Sequence, residues 1–149
     1  MSTIRLTRQF TFEMAHALWN YDGPCRNIHG HSYRLYVTVT GSPDANPNSV
    51  KLGMVIDFGE LKRIVNESIT DVFDHAVVVN RLAPADFRNQ VDQMFEKYIM
   101  VDYQPTCENL VCDFATRLKY ALPDHVKLHH LRLDETATSC AEWFADDNP

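Results

Sequence analysis

The chain has 149 residues, of which 45% are hydrophobic and 23% charged, so we expect a single globular domain spanning residues 1–149. The net charge of −6 and the lack of a basic cluster argue against nucleic acid or an anionic membrane as partner. Without a membrane-length apolar run or a signal-peptide core, the sequence predicts a cytoplasmic protein with four free cysteine thiols.

Two segments near the N-terminus alternate between apolar and polar residues. The first runs from Ile4 to His16, and the second from His29 to Val39. An alternation with period two predicts half-buried strands. His16, His29 and His31 all fall on the apolar side of these strands, where a histidine needs a partner.

Two later segments have the spacing of amphipathic helices. The first begins at Asp57, which forms a capping-box pattern with Glu60, and extends to Phe73. The second begins after Thr106, a suitable N-cap residue, and ends before Pro123. Between them, residues 86–98 allow a modest helix, and the apolar run 76–79 is too short to assign. Residues 50–58 read as a further strand piece.

Residues 126–136 alternate again and predict a strand, and residues 138–144 can form its hairpin partner. The resulting order of strands and helices predicts an α+β fold, with a four-stranded antiparallel sheet and two main helices on one face. Four strands leave two open edges, which favours edge-to-edge assembly into a β-barrel or another homo-oligomer.

The three histidines form a candidate metal site. If the first two strands pair as a hairpin, His16 lies opposite the start of the second strand, on the same face as His29 and His31. One buried histidine is usually a hydrogen-bonded core residue, but three at one end of a hairpin favour a shared cation. Zn²⁺ suits three neutral imidazoles and leaves a fourth position open, although iron and nickel accept the same ligands.

Cys25 has two possible roles beside this site. It could be a fourth ligand in a closed structural site, or a nearby thiolate that acts as base or nucleophile. The spacing does not distinguish them. A cupin would place a glutamate four residues after the second histidine, where this chain has Leu35.

Three further polar positions have ordinary explanations as well as functional ones. Asp74-His75 follows a helix whose C-terminal dipole a histidine complements, and sequence physics alone favours that structural role. Glu108 is an acidic residue in a first helical turn. Glu135 ends an apolar strand face, so its carboxylate must find hydrogen-bond donors or stay solvated, and an NH-rich heterocycle would supply such donors.

In combination these motifs resemble one family, the 6-pyruvoyl- and 6-carboxy-tetrahydropterin synthases, which have the tunnelling fold. The resemblance rests on FTFEMAHAL, CRNIHGH, GMVIDFGELK, FDHAVVVN, PTCENL and the late Glu135-Thr136 pair, and it covers most of the chain. Residues 81–104 form a longer connection than the family pattern has, and Val79 replaces its usual leucine.

The resemblance implies a role for each motif residue. His16, His29 and His31 would bind Zn²⁺, and Cys25 would be the catalytic thiol. Asp74 and His75 would form a proton relay. Glu135 would hold the pterin ring, with Thr106 and Glu108 also in the substrate site.

The resemblance also implies the reaction. The substrate would be 7,8-dihydroneopterin triphosphate, and the enzyme a hexamer with active sites at subunit interfaces. The overall pattern favours the carboxy branch, which forms 6-carboxy-tetrahydropterin, acetaldehyde and triphosphate on the route to queuosine. The alternatives are the pyruvoyl branch, which releases triphosphate only, and a non-catalytic, zinc-stabilised interaction module.

Overall fold

The computed structural model of the chain describes residues 1–149 and contains one six-stranded sheet. The strands are β1 (Ile4–Ala17), β2 (His29–Gly41), β3 (Ala76–Asn80), β4 (Tyr98–Val101), β5 (Lys127–Asp134) and β6 (Cys140–Phe144). The helices are α1 (Phe58–Val65), α2 (Asp71–Phe73), α3 (Ala85–Met94) and α4 (Cys107–Ala121). The strand order across the sheet is β4-β3-β1-β2-β5-β6.

The four strands expected from the alternating segments form the antiparallel part of this sheet. β1 pairs with β2, β2 with β5, and β5 with β6, all antiparallel. Phe10, Phe12 and Met14 of β1 are buried on the same side as Tyr33 and the other apolar residues of β2. The α+β class is therefore confirmed.

The strand count of four is wrong, because β3 and β4 add a parallel pair beside the end of β1. All five residues of β3 are buried. A short apolar run buried on both faces lacks the alternation that identifies an exposed strand, which is why its type could not be assigned. The helix expected over residues 86–98 ends at Met94, and Tyr98 already pairs with Val77.

The strand piece expected within residues 50–58 is also absent. The chain makes turns there, with Gly53 at φ 83°, and the Asp44 amide donates to the Met54 carbonyl. Val55 and Ile56 are nevertheless buried in the core. Their apolar character reflects packing of a loop and not a strand.

The two main helices lie on one face of the sheet, as the sequence predicts. Asp57 caps α1 by accepting a hydrogen bond from the Gly59 amide, and a π-helical turn over Asn66–Thr70 joins α1 to α2. The helices α1 and α4 both contribute to a core of 27 buried residues. In this core, Phe114 of α4 contacts Phe12 and Phe73.

The short helix α3 packs elsewhere. Its Val91 and Phe87 contact Val77 and Val79, the residues of β3 that alternate with those in the main core. Residues 81–104 therefore build α3, β4 and a second, smaller apolar cluster. No helix in the structure combines the length and apolar character that crossing a bilayer requires. A barrel formed by several chains stays a prediction.

Candidate active site

The antiparallel register of β1 and β2 brings the three histidines together. His16 pairs directly with His29, and His31 lies two residues further along β2 on the same face. Their ring centroids are 4.5 to 5.2 Å apart. One ligand nitrogen from each ring lies within 4.8 Å of the others, a group that contains these three residues alone.

Hydrogen bonds to backbone carbonyls orient two of these rings. His16 Nδ1 donates to the Pro105 carbonyl at 2.6 Å, and His29 Nδ1 donates to the Asn27 carbonyl at 2.7 Å. A carbonyl only accepts, so both neutral rings carry their proton on Nδ1 and have a lone pair on Nε2. Such outer partners commonly fix the ring orientation of metal-binding histidines.

The remaining nitrogens fit a cation between the rings. The Nε2 atoms of His16 and His29 are 2.9 Å apart, so in the neutral rings two lone pairs face each other. His31 Nε2 is buried and has no hydrogen-bond partner. A metal ion among the three nitrogens would satisfy all of them, and it is the neutral imidazole that binds.

Burial keeps His16 in the neutral form. The pKa of His16 is lowered to about 4, mainly by desolvation and further by the neighbouring His29 and His31, while the bond to the Pro105 carbonyl opposes the shift. At neutral pH the ring needs no deprotonation before it can bind a metal.

Cys25 lines the same cavity as His16 and His29 but lies outside the group of close ligand atoms. It is the middle residue of a short 3₁₀ turn, Pro24–Arg26, and it is partly exposed. The thiol and the rings of His16 and His29 line one cavity of about 320 Å³. Because Cys25 is not part of the group of close ligand atoms, this arrangement does not form the closed site of one cysteine and three histidines.

The three residues expected to contact substrate line the same cavity. Thr106 and Glu108 lie at the start of α4, and Glu135 follows the end of β5. Glu135 Oε1 is 3.9 Å from His31 Nε2, so the carboxylate lies at the edge of the histidine group. The cavity thus combines two of the clustered histidines, two carboxylates and three cysteines, Cys25, Cys107 and Cys140.

Asp74 and His75 form a pair, but not in this cavity. Asp74 Oδ2 is 3.0 Å from His75 Nδ1, and the His75 side chain is 77% exposed. His75 lines a separate depression with Glu13 and Ser32. Within one chain, the structure does not bring this pair together with Cys25.

The local backbone fixes the Asp74–His75 pair. The Glu13 amide donates to Asp74 Oδ1 at 2.8 Å, and Lys97 Nζ donates to the Asp74 carbonyl at 2.6 Å. Partial desolvation opposes ionisation, but the Glu13 amide, His75 and Lys97 together hold the pKa of Asp74 below its ordinary value. His75 has φ 59°, which is unusual for a residue other than glycine.

Sequence reasoning missed the groups that orient these residues. The carbonyls of Pro105 and Asn27 act through the backbone, which leaves no side-chain signal. Lys97 and Tyr33 are also new: the Tyr33 hydroxyl is buried without a hydrogen-bond partner, and desolvation and the nearby Glu135 raise its pKa. The apolar alternation of β2 showed that Tyr33 is buried but not what its hydroxyl faces.

The fold and the site define an α+β protein with a three-histidine centre next to a cavity that carries a thiol and carboxylates. A family model described as 6-pyruvoyl tetrahydropterin synthase matches residues 5–146. The chain belongs to this family of enzymes.

Individual relatives agree with this assignment. The chain is similar to the 6-carboxy-5,6,7,8-tetrahydropterin synthase of Haemophilus influenzae, with 33% identity over 141 residues, 93% of this chain and 97% of that protein. The fold is similar to that of the Caenorhabditis elegans 6-pyruvoyl tetrahydropterin synthase (TM-score 0.68, 23% identity, 97% and 96% of the chains). An uncharacterised protein from Wolinella succinogenes is similar with a TM-score of 0.78 at 19% identity, covering 97% and 99%.

Proposed function

We propose that this protein is a zinc-dependent lyase that converts 7,8-dihydroneopterin triphosphate to 6-carboxy-5,6,7,8-tetrahydropterin, acetaldehyde and triphosphate. The observation that carries the proposal is the convergence of His16, His29 and His31 beside a cavity that also contains Cys25 and Glu135. The name of the Haemophilus influenzae relative supports the carboxy branch and its place on the route to queuosine.

His16, His29 and His31 would hold Zn²⁺, whose ligand preferences match three neutral imidazoles. When bound, zinc supplies Lewis-acid polarisation of the hydroxyl groups on the substrate side chain. The carbonyls of Pro105 and Asn27 keep the two Nε2 lone pairs directed at the ion.

The other cavity residues would bind the substrate and move its protons. The Glu135 carboxylate accepts hydrogen bonds from the N–H groups of the pterin ring, and Thr106 and Glu108 line the same space. Cys25, as a thiolate, removes a proton from the bound substrate. The cavity of about 320 Å³ is at the lower end of the usual size range for small-molecule sites.

Asp74 and His75 would act as the proton relay of a neighbouring copy. Their exposure and their separation from Cys25 in one chain support an active site that two copies complete. The outer edge of β1 from Ile4 to Glu13 has no strand beside it, because β3 pairs with Met14–Ala17 only. The strands at the two ends of the sheet are β4 and β6, so a homo-oligomer, a hexamer in this proposal, can form by pairing of these edges and of the unpaired part of β1.

Product analysis by mass spectrometry tests the function. Zinc-loaded protein incubated with 7,8-dihydroneopterin triphosphate should release triphosphate and acetaldehyde and form the 6-carboxy product. A 6-pyruvoyl product without acetaldehyde would assign the chain to the pyruvoyl branch, after which the family model is named. Absence of any pterin product would refute the lyase proposal.

The variant Cys25→Ala tests whether the Cys25 thiol is a catalytic group or a zinc ligand. We expect this variant to retain one zinc per chain, by metal analysis, and to lose at least about 100-fold in kcat, the scale expected for loss of a general base. Cys112→Ala, which changes an exposed thiol on α4, is the matched control and should retain activity. Loss of zinc from Cys25→Ala would show that the thiol is a ligand.

A further inference from the structure

The side chain of Gln104 pairs with the backbone of Trp19 in the way two peptide groups pair in a sheet. Its Nε2 donates to the Trp19 carbonyl at 2.7 Å, and its Oε1 accepts from the Trp19 amide at 3.1 Å. Oε1 also accepts from Asn80 Nδ2 at 3.2 Å. One side chain therefore connects the segment before α4 to the loop after β1 and to the end of β3.

The loop that Gln104 contacts carries Cys25. The Leu18 amide donates a hydrogen bond to the Cys25 carbonyl at 3.0 Å. Leu18, the neighbour of Trp19, is therefore hydrogen-bonded to the residue that carries the thiol. None of residues 18–27 is buried, and Trp19 itself is 41% exposed. Because this loop has little apolar packing, its position depends largely on its polar contacts.

The residues next to Gln104 contact other parts of the same site. The Pro105 carbonyl accepts from His16 Nδ1, and Thr106 caps α4, the helix that carries Glu108. Asn109 Nδ2 donates to the Gln104 carbonyl at 3.0 Å and so ties this segment to α4. Three consecutive residues thus contact the metal centre, the thiol loop and the helix of the substrate cavity.

We propose that Gln104 is a positioning residue, which holds the Trp19 loop so that the Cys25 thiol stays at its working distance from the three-histidine centre. The proposal rests on the lyase function above for the role of Cys25. Gln104 does not line the substrate cavity, so it acts through the loop and not by contact with the substrate. A displacement of about 1 Å in a reacting group can cost roughly 100-fold in rate.

Two variants and a control test the proposal. Gln104→Leu removes both hydrogen bonds to Trp19, while Gln104→Glu keeps the acceptor for the Trp19 and Asn80 donors and loses the donor to the Trp19 carbonyl. Gln93→Leu is the matched control, because Gln93 is exposed on α3 and makes no side-chain hydrogen bond. Each variant is assayed as zinc-loaded full-length protein for zinc content, kcat, KM, and iodoacetamide alkylation of Cys25 by peptide mass spectrometry.

We expect Gln104→Leu to keep its zinc, to lose about 10- to 100-fold in kcat with less than about a threefold change in KM, and to alter the Cys25 alkylation rate at least about threefold. Gln104→Glu should fall between Gln104→Leu and the wild type. Hydrogen exchange at the Trp19 amide should accelerate in both variants.

Wild-type kcat and wild-type Cys25 alkylation in Gln104→Leu would overturn the proposal, as would equal losses in Gln93→Leu. Loss of zinc would overturn it too, since Gln104 would then act on His16 and not on the thiol. If Gln104→Leu does not fold, the Gln104→Glu variant decides by the same measurements. If the wild type itself forms no pterin product, the lyase function fails, while alkylation and hydrogen exchange still test whether Gln104 positions the loop.

Discussion

Two carbonyl groups determine how the site histidines can react. A histidine can present either nitrogen to a metal, and the hydrogen bond at the other nitrogen decides which one is free. Here the carbonyls of Pro105 and Asn27 take the Nδ1 protons, so Nε2 faces the centre in both His16 and His29. The carbonyl that orients His29 is two residues away in the chain, whereas the carbonyl that orients His16 is 89 residues away.

The cavity beside the histidines is lined by three cysteines, Cys25, Cys107 and Cys140, whose exposure differs. The pKa of the Cys107 thiol is raised to about 12 because its burial and the nearby Glu135 disfavour the thiolate, and Cys107 donates to the Leu133 carbonyl. A thiol with this pKa has about a thousandfold smaller thiolate fraction near pH 8 than at its ordinary pKa.

We therefore expect Cys107 to resist iodoacetamide at about pH 8, while the exposed Cys112 on the same helix reacts readily. Peptide mass spectrometry of folded protein over a time course measures both rates, and unfolding in urea should make them equal. Equal rates in the folded protein would contradict the assigned burial of Cys107.

At the scale of elements, the helix α4 contributes both to the core and to the cavity beside the histidine centre. Its apolar face places Leu110, Phe114 and Leu118 in the core, and its first turn places Thr106 and Glu108 in the cavity. The same N-terminus is fixed by the Thr106 side chain, which accepts from the Asn109 amide. A change at the start of this helix should therefore affect both its stability and the site.

The cap of α4 gives a stability prediction. Thr106→Ala should lower the free energy of unfolding by about 1 kcal/mol, because an orphan helix amide loses its acceptor, while Thr106→Ser should change it little. Urea unfolding followed by circular dichroism measures both. An alanine variant as stable as the wild type would show that the Thr106 cap contributes nothing.

The cap of α1 gives a pH prediction. Asp57 accepts from Lys51 Nζ at 2.8 Å and from the Gly59 amide, and these contacts, Lys51 first, lower its pKa. A carboxyl group whose pKa is lower in the folded state stabilises the protein above its unfolded pKa of about 3.9, and this contribution is lost as pH falls through the folded pKa.

Asp57→Asn should therefore destabilise the protein near pH 6 and show a smaller loss of stability than the wild type when the pH falls below about 4. Urea unfolding of metal-free protein at a series of pH values from about 3 to about 7 measures the difference. Asp146→Asn, at an exposed position near the C-terminus, is the control. Parallel curves for wild type and Asp57→Asn would contradict the lowered pKa.

At the scale of the whole molecule, the histidine centre lies directly against the main core. The 27 apolar core residues come from the sheet, the helices and the segments between them, and the ring centroid of one of them, Tyr33, is 5.6 Å from that of His31. Phe12 stacks on Tyr33 at 5.0 Å in the middle of this core. The chain thus has an extensive core of apolar side chains, none of which is a metal ligand.

Removal of the metal by a chelator distinguishes the two proposed functions, a lyase and a zinc-stabilised interaction module. With EDTA we expect the circular dichroism spectrum to persist and Tm to fall, because a metal that binds the folded state adds stability only in proportion to its binding free energy. Adding zinc back should restore Tm. Unfolding of the chain on chelation at room temperature would favour the structural module instead.

Three features could be predicted from the sequence alone: the antiparallel strands, the starts of α1 and α4, and the convergence of His16, His29 and His31. These features depend on local periodicity and capping, since side chains two residues apart on a strand share a face wherever the strand lies. The combination of motifs was also sufficient to identify the family, because each motif lies within a few consecutive residues.

Four features depend on tertiary packing: the parallel pair of β3 and β4, the orientation of the His16 ring, the separation of Asp74–His75 from Cys25, and the contact between Gln104 and Trp19. A short run buried on both faces has no diagnostic period. The Pro105 carbonyl and His16 are 89 residues apart in the chain. No local pattern encodes such a contact, because its geometry is set by how the sheet and helices pack.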